Sequence, residues 1–380
     1  MLAFFLFLGY NQSMSYQALY RKYRPKTFEG IIGQNHITST LANQIAASKI
    51  VHAYLFCGSR GTGKTSTAKI FARAINCQNA QNGSPCGKCD VCMNSASDMD
   101  IIEIDAASNN RVDEIRELRE NVKFMPTCGK YKIYIIDEVH MLTDSAYNAL
   151  LKTLEEPPAH IIFILATTEP HKLPATILSR CVRFDFELVS VEDLSNHLKF
   201  VFKNEGITYE EEAIKVIASA GEGSVRDTLS VADSITAYCG SHITLDKVLE
   251  ILSLNDNQTY IDLTNAMFSK NLGACLEIID KAYRAGKNMS VFAKDLSVHC
   301  RNLLVIKTCQ APNDILNLPE NIFEKFLAQS QTLKESDLML AMKIFGAIEA
   351  ELRYALSPKL LVETAVVNCI TELGGGVKKN

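Results

Sequence analysis

The chain has 380 residues, enough for two or three domains of roughly 100–200 residues each. Hydrophobic residues make up 47% and charged residues 22%, the balance of a soluble globular protein that can build a core. A net charge of −4 argues against a surface that attracts nucleic acid over the whole protein and leaves room only for a local basic patch.

The twelve cysteines are distributed unevenly, with four between positions 77 and 92 and eight scattered along the chain. This distribution favours one metal site and reduced core thiols over a disulfide framework. We expect a cytoplasmic location.

The first thirteen residues form an unusual leader. Met1–Tyr10 is almost wholly apolar but too short to span a bilayer. It lacks a basic region and a clear cleavage site of small residues, which argues against a secretory signal. We expect the functional protein to begin at Met14, residues 1–13 to be an upstream start or a disordered tail, and the protein to have no membrane association.

A dense basic and aromatic run follows at Arg21–Lys26. It is either a solvated arm or a contact for a nucleotide or another anion, because arginine and tyrosine offer both charge and a stacking face. Arg24 is the candidate nucleotide contact within this run. Residues 38–48 are then predicted to be helical.

The segment Gly58–Thr65 (G-S-R-G-T-G-K-T) fits the phosphate-loop template G-x-x-x-x-G-K-[ST]. Glycines allow the backbone conformations that turn successive N–H groups toward a phosphate chain. Lys64 is expected to reach the β- and γ-phosphates, and the Thr65 hydroxyl to ligate Mg²⁺. The loop lies between a predicted strand at 52–57 and a predicted helix at 65–75, whose positive N-terminal end would face the anion. The alternative is a chance glycine-rich turn. The candidate nucleotide-binding residues of the loop are Gly58, Ser59, Arg60, Gly61, Thr62, Gly63, Lys64 and Thr65.

Cys77, Cys86, Cys89 and Cys92 form the pattern C-x8-C-x2-C-x2-C. Four thiolates at these spacings suit a closed tetrahedral Zn²⁺ site without an open position for catalysis. The metal would be a structural staple for an insertion that lacks its own core. An iron–sulfur cluster and unliganded thiols are the alternatives.

Two acidic residues end the predicted strand Lys132–Glu138 (K-I-Y-I-I-D-E). Its four consecutive large apolar residues predict a strand covered on both faces, as in a parallel sheet. Ligands bind at the carboxyl ends of such strands.

Asp137 is therefore expected to hold Mg²⁺, directly or through water, and Glu138 to orient and polarise an attacking water. The alternative is a pair of surface acids.

Three further residues are candidates for sensing or stabilising phosphate charge. Thr168 follows a predicted buried strand at 161–166, which places its hydroxyl near Asp137; a capping role is the alternative. Arg180 precedes a predicted strand at 181–186 and is either a cation for the transferring phosphoryl group or an ordinary surface arginine. Arg226 lies in the first turn of a predicted helix at 225–238, where a cation opposes the helix dipole, which favours a functional reason for its presence.

Predicted strands and helices alternate from about residue 50 to residue 186, including a strand at 100–105 and a helix at 110–124, which predicts a parallel sheet with helices on both faces. From residue 190 the pattern is helical only. The expected fold class is therefore α/β followed by all-α. The later helices carry no catalytic constellation and are expected to pack against one another or against copies of themselves. Predicted helices lie at 194–204, 210–220, 225–238, 257–269, 272–285, 290–308, 319–330, 335–352 and 359–371.

Together these motifs resemble those of one family, the gamma/tau clamp-loader ATPases of bacterial DNA polymerase III, within the AAA+ group. The resemblance covers residues 14–371. It implies an AAA+ nucleotide-binding domain at 14–189 with a zinc insertion at 77–92, a helical lid at 190–253 and a helical oligomerisation collar at 254–372. The leader at 1–13 is not part of the family pattern, and residues 373–380 are expected to be a tail. The matching motifs are Y-R-K-Y-R-P at 20–25, G-S-R-G-T-G-K-T at 58–65, the four cysteines at 77–92, D-E-V-H-M-L at 137–142, L-A-T-T-E-P at 165–170, L-S-R-C at 178–181 and G-S-V-R-D at 223–227.

The resemblance implies an ATP-driven motor subunit that loads a sliding clamp onto primed DNA and does not itself polymerise. Thr168 would be the first sensor, Arg180 an arginine finger offered to ATP on a neighbouring subunit, and Arg226 a second sensor acting in cis. The implied cofactors are ATP, Mg²⁺ and structural Zn²⁺. The implied partners are the delta and delta-prime subunits, further copies of the chain in a ring, the sliding clamp and primed DNA through local contacts.

Two rival hypotheses are weaker. A structural ring subunit that binds ATP without useful turnover is disfavoured by the presence of Lys64, Asp137 and Glu138. A different AAA+ remodeller, such as a Holliday-junction motor, is disfavoured by the four-cysteine insertion. The chain stops shortly after the expected collar, so we expect it to behave like the short gamma form, without the tau extension that binds the helicase and the polymerase.

Overall fold

The computed structural model describes residues 16–93, 99–108, 120–252, 257–316, 318, 320–352 and 354–373. The chain divides into two compact units, Met1–Tyr209 with Ile217–His242 and Glu210–Val216 with Ile243–Asn380. The predicted leader at 1–13, most of the predicted helix at 110–124 and the tail beyond residue 373 lie outside the described residues.

In the first unit, strands and helices alternate as predicted. The 3-10 turns of this unit lie at Phe28–Gly30, Val139–Met141 and Pro170–Lys172. Its main elements are α1 (Leu19–Lys22), α2 (Asn35–Ala46), β1 (Ala53–Gly58), α3 (Lys64–Asn76), α4 (Asp90–Met93), β2 (Ile101–Asp105), β3 (Lys132–Asp137), α5 (Asp144–Glu155), β4 (Ile161–Thr167), α6 (Ala175–Leu178), β5 (Val182–Phe186) and α7 (Val191–Glu205).

Strands β1 to β5 form one sheet in the order β2-β3-β4-β1-β5, and all the pairings are parallel. The predicted parallel sheet is therefore confirmed. Tyr134 and Ile136 of β3 pack into the core on one face of the sheet, whereas Ile133 and Ile135 pack into the core on the other. This two-sided burial explains the uninterrupted apolar run of β3. Because the strands are parallel, the segments that follow β1, β3 and β4 meet at one edge.

A buried carboxylate fixes the chain that leads into β3. Asp100 accepts backbone hydrogen bonds from Thr127, Cys128 and Gly129 at 2.6, 2.7 and 2.7 Å. Burial disfavours its charge, but the backbone donors outweigh burial and hold the pKa of Asp100 below its ordinary value. The loop before β3 is thus anchored to the residue that precedes β2.

The remaining elements are mainly helical. Ser190 and Ser224 cap their helices by accepting the backbone N–H of Asp193 and Asp227. The prediction of helix alone after residue 190 is wrong in one respect, because two strands of two residues each are present, too short to show alternation. The elements are α8 (Glu211–Ala220), α9 (Val225–Cys239), α10 (Leu245–Ile251), α11 (Asn257–Phe268), α12 (Leu272–Arg284), α13 (Met289–Thr308), α14 (Pro312–Leu316), α15 (Glu320–Thr332), α16 (Glu335–Leu352) and α17 (Pro358–Glu372), with strands β6 (Thr208–Tyr209) and β7 (His242–Ile243).

Helix α13 is the centre of the second unit and packs against α15, α16 and α17. Its residues Phe292, Leu296 and Leu303 are fully buried, as their helical spacing predicts. The fold class, α/β followed by all-α, is confirmed. None of the helices that the structure describes is both long and apolar enough to cross a membrane.

Candidate active site

The phosphate-loop segment adopts backbone conformations that require glycine. Gly58, Gly61 and Gly63 have φ values of +144°, +78° and +104°. At Gly61 a Cβ atom would lie 1.9 Å from the Ser224 hydroxyl oxygen, so the close approach of α9 also excludes a side chain. The last of these glycines directly precedes α3, which aims the N-terminal end of that helix at the loop.

Lys64 folds back across the loop. Its side chain is buried, and its ammonium group donates to the carbonyl oxygens of Gly58 and Ser59 at 2.7 and 2.8 Å. Burial lowers the pKa of Lys64, while the nearby carboxylates of Glu138 and Asp137 oppose that shift. The positive charge therefore lies inside the curve of the loop, where an anion would be bound.

Thr65 and Asp137 meet at the edge of the sheet. The Thr65 hydroxyl donates to the Asp137 carboxylate at 2.6 Å. Hydroxyl and carboxylate oxygens are the ligands that Mg²⁺ prefers. The structure thus places next to each other the two residues that the sequence predicts as magnesium ligands.

Glu138 follows in a left-handed conformation, with φ of 48° and ψ of 45°. Such a backbone is uncommon for a residue other than glycine. The Glu138 carboxylate accepts hydrogen bonds from the Thr168 hydroxyl and backbone N–H at 3.1 and 3.4 Å. The predicted water-orienting residue and the predicted first sensor are therefore in contact.

Lys64, Thr65, Asp137 and Glu138 border a cleft of about 750 Å³ in the first unit. Arg226 reaches this cleft from the first turn of α9, and the backbone N–H of Val225 donates to the Gly61 carbonyl at 3.1 Å. Arg24 also lines the cleft and donates to the Ser66 hydroxyl at 3.1 Å. Other lining residues include Tyr20, Ile31, Ile32, Arg60, Thr62, Asp105, His197 and Leu229.

Arg180 is not among the residues that line this cleft. Its guanidinium group forms an ion pair with Glu155 at 2.9 Å and donates to the Thr176 carbonyl at 2.8 Å. Because Glu155 is the last residue of α5, this ion pair attaches Arg180 to that helix, away from the phosphate loop.

The four predicted metal ligands come together. The Sγ atoms of Cys77, Cys86, Cys89 and Cys92 all lie within 4.8 Å of one another, and those of Cys77 and Cys89 are 3.9 Å apart. The backbone N–H groups of Lys88 and Cys89 donate to Cys86 and lower the pKa of its thiol. These donors favour the thiolate form at Cys86, whereas burial raises the pKa of the Cys77 and Cys92 thiols, which would have to lose their protons to bind a metal.

Two residues that the sequence reasoning did not single out join the site. The Tyr20 ring lies 5.1 Å from the Arg226 guanidinium, within the range of a cation–π contact. The ring of His140 lies between Glu138 and Glu169. Tyr20 opens the Y-R-K-Y-R-P motif at 20–25 and His140 belongs to the D-E-V-H-M-L motif at 137–142, but only the fold shows which groups they contact.

The fold and the site together define a P-loop protein of the AAA+ type. Residues 33–190 match the family model for the DNA polymerase III delta subunit, residues 193–241 the model for the ATPase lid domain of the DNA polymerase III clamp loader subunit, and residues 243–373 the model for domain III of DNA polymerase III subunits gamma and tau. The chain is 44% identical over 357 residues to DNA polymerase III subunit tau of Bacillus subtilis, covering 93% of this chain and 63% of that protein. It is 35% identical over 363 residues to DNA polymerase III subunit gamma of Buchnera aphidicola, covering 95% of this chain and 99% of that protein.

The chain therefore belongs to the gamma/tau family of DNA polymerase III subunits. It spans less than two thirds of the Bacillus subtilis tau subunit. Among solved structures, the Bacillus subtilis clamp loader delta protein aligns with 14% identity and a TM-score of 0.39 over 87% of this chain and 99% of that protein. The Thermotoga maritima RuvB Holliday junction branch migration motor aligns with 18% identity and a TM-score of 0.47 over 81% of this chain and 91% of that protein.

Replacing Gly61 by alanine tests the geometry of the loop. The new Cβ would clash with Ser224 and hold a left-handed backbone that costs roughly 1–2 kcal/mol for a residue with a side chain. Gly61→Ala should weaken binding of a fluorescent ATP analogue by at least about tenfold, as a loss of 1.4 kcal/mol would.

The matched control is Gly206→Ala, because Gly206 also has positive φ (+69°) but no atom within 4 Å of the position that a Cβ would take. It should lower the stability slightly and leave analogue binding unchanged. Equal binding by the wild type and Gly61→Ala would contradict the geometry given for the loop.

Proposed function

We propose that this chain is an ATP-hydrolysing motor subunit of the bacterial clamp loader, which loads a sliding clamp onto primed DNA during replication. The observation that carries the proposal is the 2.6 Å contact between Thr65 and Asp137, with Lys64 and Glu138 bordering the same cleft. This is the set of groups that a magnesium–nucleotide complex and an attacking water require. The family membership supports the same activity.

The phosphate loop supplies the binding half of the proposed site. Its backbone N–H groups and Lys64 would hold the β- and γ-phosphates, since both present positive charge to the same concave turn. Thr65 and Asp137 would hold Mg²⁺, which neutralises charge on the phosphate oxygens when it is bound. Arg24, beside Ser66 in the first turn of α3, is proposed to contact the nucleotide.

Glu138 supplies the chemical half. Its carboxylate would orient and polarise the attacking water. Thr168 donates to that carboxylate and is therefore proposed to relay the state of the phosphate to Glu138. Arg226 borders the cleft next to the loop and is proposed to contact the γ-phosphate of the same chain.

Arg180 is proposed to act on a neighbouring subunit. Its ion pair with Glu155 and its position outside the cleft support a role away from the loop of its own chain. We propose a ring that contains copies of this chain with the delta and delta-prime subunits, assembled through a collar at 254–372, with domain limits near residues 189 and 253. A cytoplasmic location belongs to the same proposal.

We also propose that the cysteine cluster binds one structural Zn²⁺. Zinc–sulfur bonds of about 2.3 Å in a tetrahedron imply sulfur–sulfur separations of about 3.8 Å. The 3.9 Å between Cys77 and Cys89 fits that value. The cluster supplies four protein ligands, so it would leave no position for catalysis.

Removal of Lys64 tests the enzymatic proposal. Lys64→Ala should lower ATP hydrolysis by the assembled complex, measured with clamp and primed DNA, by about 100-fold, because a charge at the phosphates is lost. Lys69→Ala is the control, since Lys69 lies on the same helix but pairs with Glu103. An unchanged rate in Lys64→Ala, or a wild-type rate that clamp and primed DNA do not stimulate, would contradict the proposal.

Mixing two inactive variants tests whether Arg180 acts between subunits. In a ring, an Arg180→Ala subunit still has an intact phosphate loop. A neighbouring Lys64→Ala subunit still has Arg180, so the two variants together can form one complete site at their interface. Assemblies that contain both variants should therefore regain part of the hydrolysis that each variant alone lacks. If mixed assemblies stay as inactive as the two separate variants, Arg180 acts within its own chain or not at all.

Elemental analysis tests the zinc proposal. Protein purified without chelator should carry about one zinc per chain, and Cys89→Ser should lose most of it because three thiolates remain. Cys128→Ser is the matched control, because Cys128 is exposed and not part of the cluster. Zinc below about half an equivalent in the wild type, or iron in its place, would overturn the assignment.

A further inference from the structure

A histidine with a largely buried side chain joins the ends of β3 and β4 beside the proposed water-orienting carboxylate. His140 lies in the 3-10 turn after Glu138, and only 7% of its side chain is exposed. Its Nδ1 atom is 3.0 Å from the Thr167 hydroxyl oxygen and 3.4 Å from the Glu138 carboxylate. Its Nε2 atom is 3.1 Å from the Glu169 carboxylate.

These contacts form a ring of hydrogen bonds that a neutral imidazole completes. The backbone N–H of Glu169 donates to the Thr167 hydroxyl oxygen at 3.0 Å. That hydroxyl is then free to donate to Nδ1 of His140, and the proton on Nε2 is donated to Glu169. The pattern thus assigns the tautomer with the proton on Nε2. In this form the lone pair of Nδ1 faces Thr167, so the imidazole offers no donor to Glu138.

Protonation of His140 changes the interaction with Glu138. Nδ1 then carries a proton and a positive charge 3.4 Å from the Glu138 carboxylate. That carboxylate already accepts from Thr168, so a charged imidazole would hold it against the end of β4. A carboxylate held there by charge is less able to polarise a water.

We propose that His140 is a positioning residue for Glu138, which leaves the carboxylate free to act when the imidazole is neutral and withdraws it when the imidazole is protonated. This inference rests on the proposed ATPase function. It predicts a fall in kcat toward acidic pH that depends on His140.

The other titratable and charged groups around the imidazole are few among the described residues. Glu138 lies on its own turn. Glu169 follows β4 and is paired with Lys172 at 2.8 Å, while His171 is 3.9 Å from Glu169 and largely exposed. From α5, the Tyr147 hydroxyl donates to the Val139 carbonyl at 2.7 Å and holds the turn in place.

Three variants of the full chain in the assembled complex separate the roles. His140→Gln keeps an amide donor for Glu169 but cannot gain a charge. His140→Ala removes the bridge. His171→Gln is the control, because it removes a titratable histidine that approaches Glu169 from the exposed side. The measurements are kcat and KM for ATP over the range pH 5.5 to 8.5, together with binding of a fluorescent ATP analogue.

We expect the wild type and His171→Gln to lose kcat toward acidic pH, and His140→Gln to keep a flat kcat that stays within about threefold of the wild-type value above neutral pH. His140→Ala should lower kcat by about 10- to 100-fold at every pH and leave analogue binding unchanged, because the position of Glu138 is no longer fixed.

An acid limb in His140→Gln equal to that of the wild type would overturn the inference, and so would a wild-type kcat that is flat with pH. A change in KM and analogue affinity with kcat unchanged would also overturn it, because His140 would then act on binding. If His140→Ala does not fold, the pH profile of His140→Gln decides. A wild-type complex that does not hydrolyse ATP would overturn the proposed function and this inference with it, whereas the His140→Gln result overturns this inference alone.

Discussion

The hydrogen bond from the Thr65 hydroxyl to the Asp137 carboxylate depends on the register of the whole sheet. Thr65 lies in the helix that follows β1, and Asp137 is the last residue of β3. The two strands are not neighbours, because β4 lies between them. Phe56 of β1 pairs with Ala166, and Ile136 of β3 pairs with Leu165. The ends of all three strands are therefore level. A slip of one residue would turn each side chain to the other face of the sheet, and the burial of β3 and β4 on both faces resists that slip.

Residues 16–24, here called the N-terminal arm, link the phosphate loop to α9. Asp233 of α9 accepts the backbone N–H of Leu19 at 2.9 Å and the Tyr16 hydroxyl at 2.6 Å. The same arm places Tyr20 against Arg226 and Arg24 against Ser66. A shift of α9 would therefore move the residues of the arm, the Gly61 carbonyl and the first turn of α3. Arg226, the proposed second sensor on α9, is thus connected to the phosphate loop through these contacts.

Short sequence motifs correctly predicted those residues whose type is determined by chemistry within a single short segment. The glycines of the phosphate loop, the acidic end of β3 and the spacing of the four cysteines each reflect a requirement within a short segment. The apolar runs likewise predicted the parallel sheet. Sequence patterns did not reveal β6 and β7, since two residues carry no periodicity.

The same motifs could not predict hydrogen bonds and ion pairs between residues that lie far apart in the sequence. Thr168 was expected near Asp137, but its hydroxyl donates to Glu138. The ion pair of Arg180 with Glu155 and the contacts of His140 with Thr167 and Glu169 depend on how helices and strand ends pack. Such contacts join residues with no fixed spacing, so a single sequence predicts the candidate residues better than the bonds between them.

Thr65 and Asp137 are proposed to form one cation site that a bound nucleotide completes. The direct measurement is Mn²⁺ binding, followed by electron paramagnetic resonance in the presence of an ATP analogue, to wild type, Asp137→Asn and Asp105→Asn. Asp105 also lines the cleft, but its carboxylate accepts from Ala107 and Ser108 at 3.0 and 2.8 Å. Asp137→Asn should weaken Mn²⁺ binding by about 10- to 100-fold, and Asp105→Asn should bind Mn²⁺ like the wild type. Equal Mn²⁺ affinity in Asp137→Asn and the wild type would contradict the account.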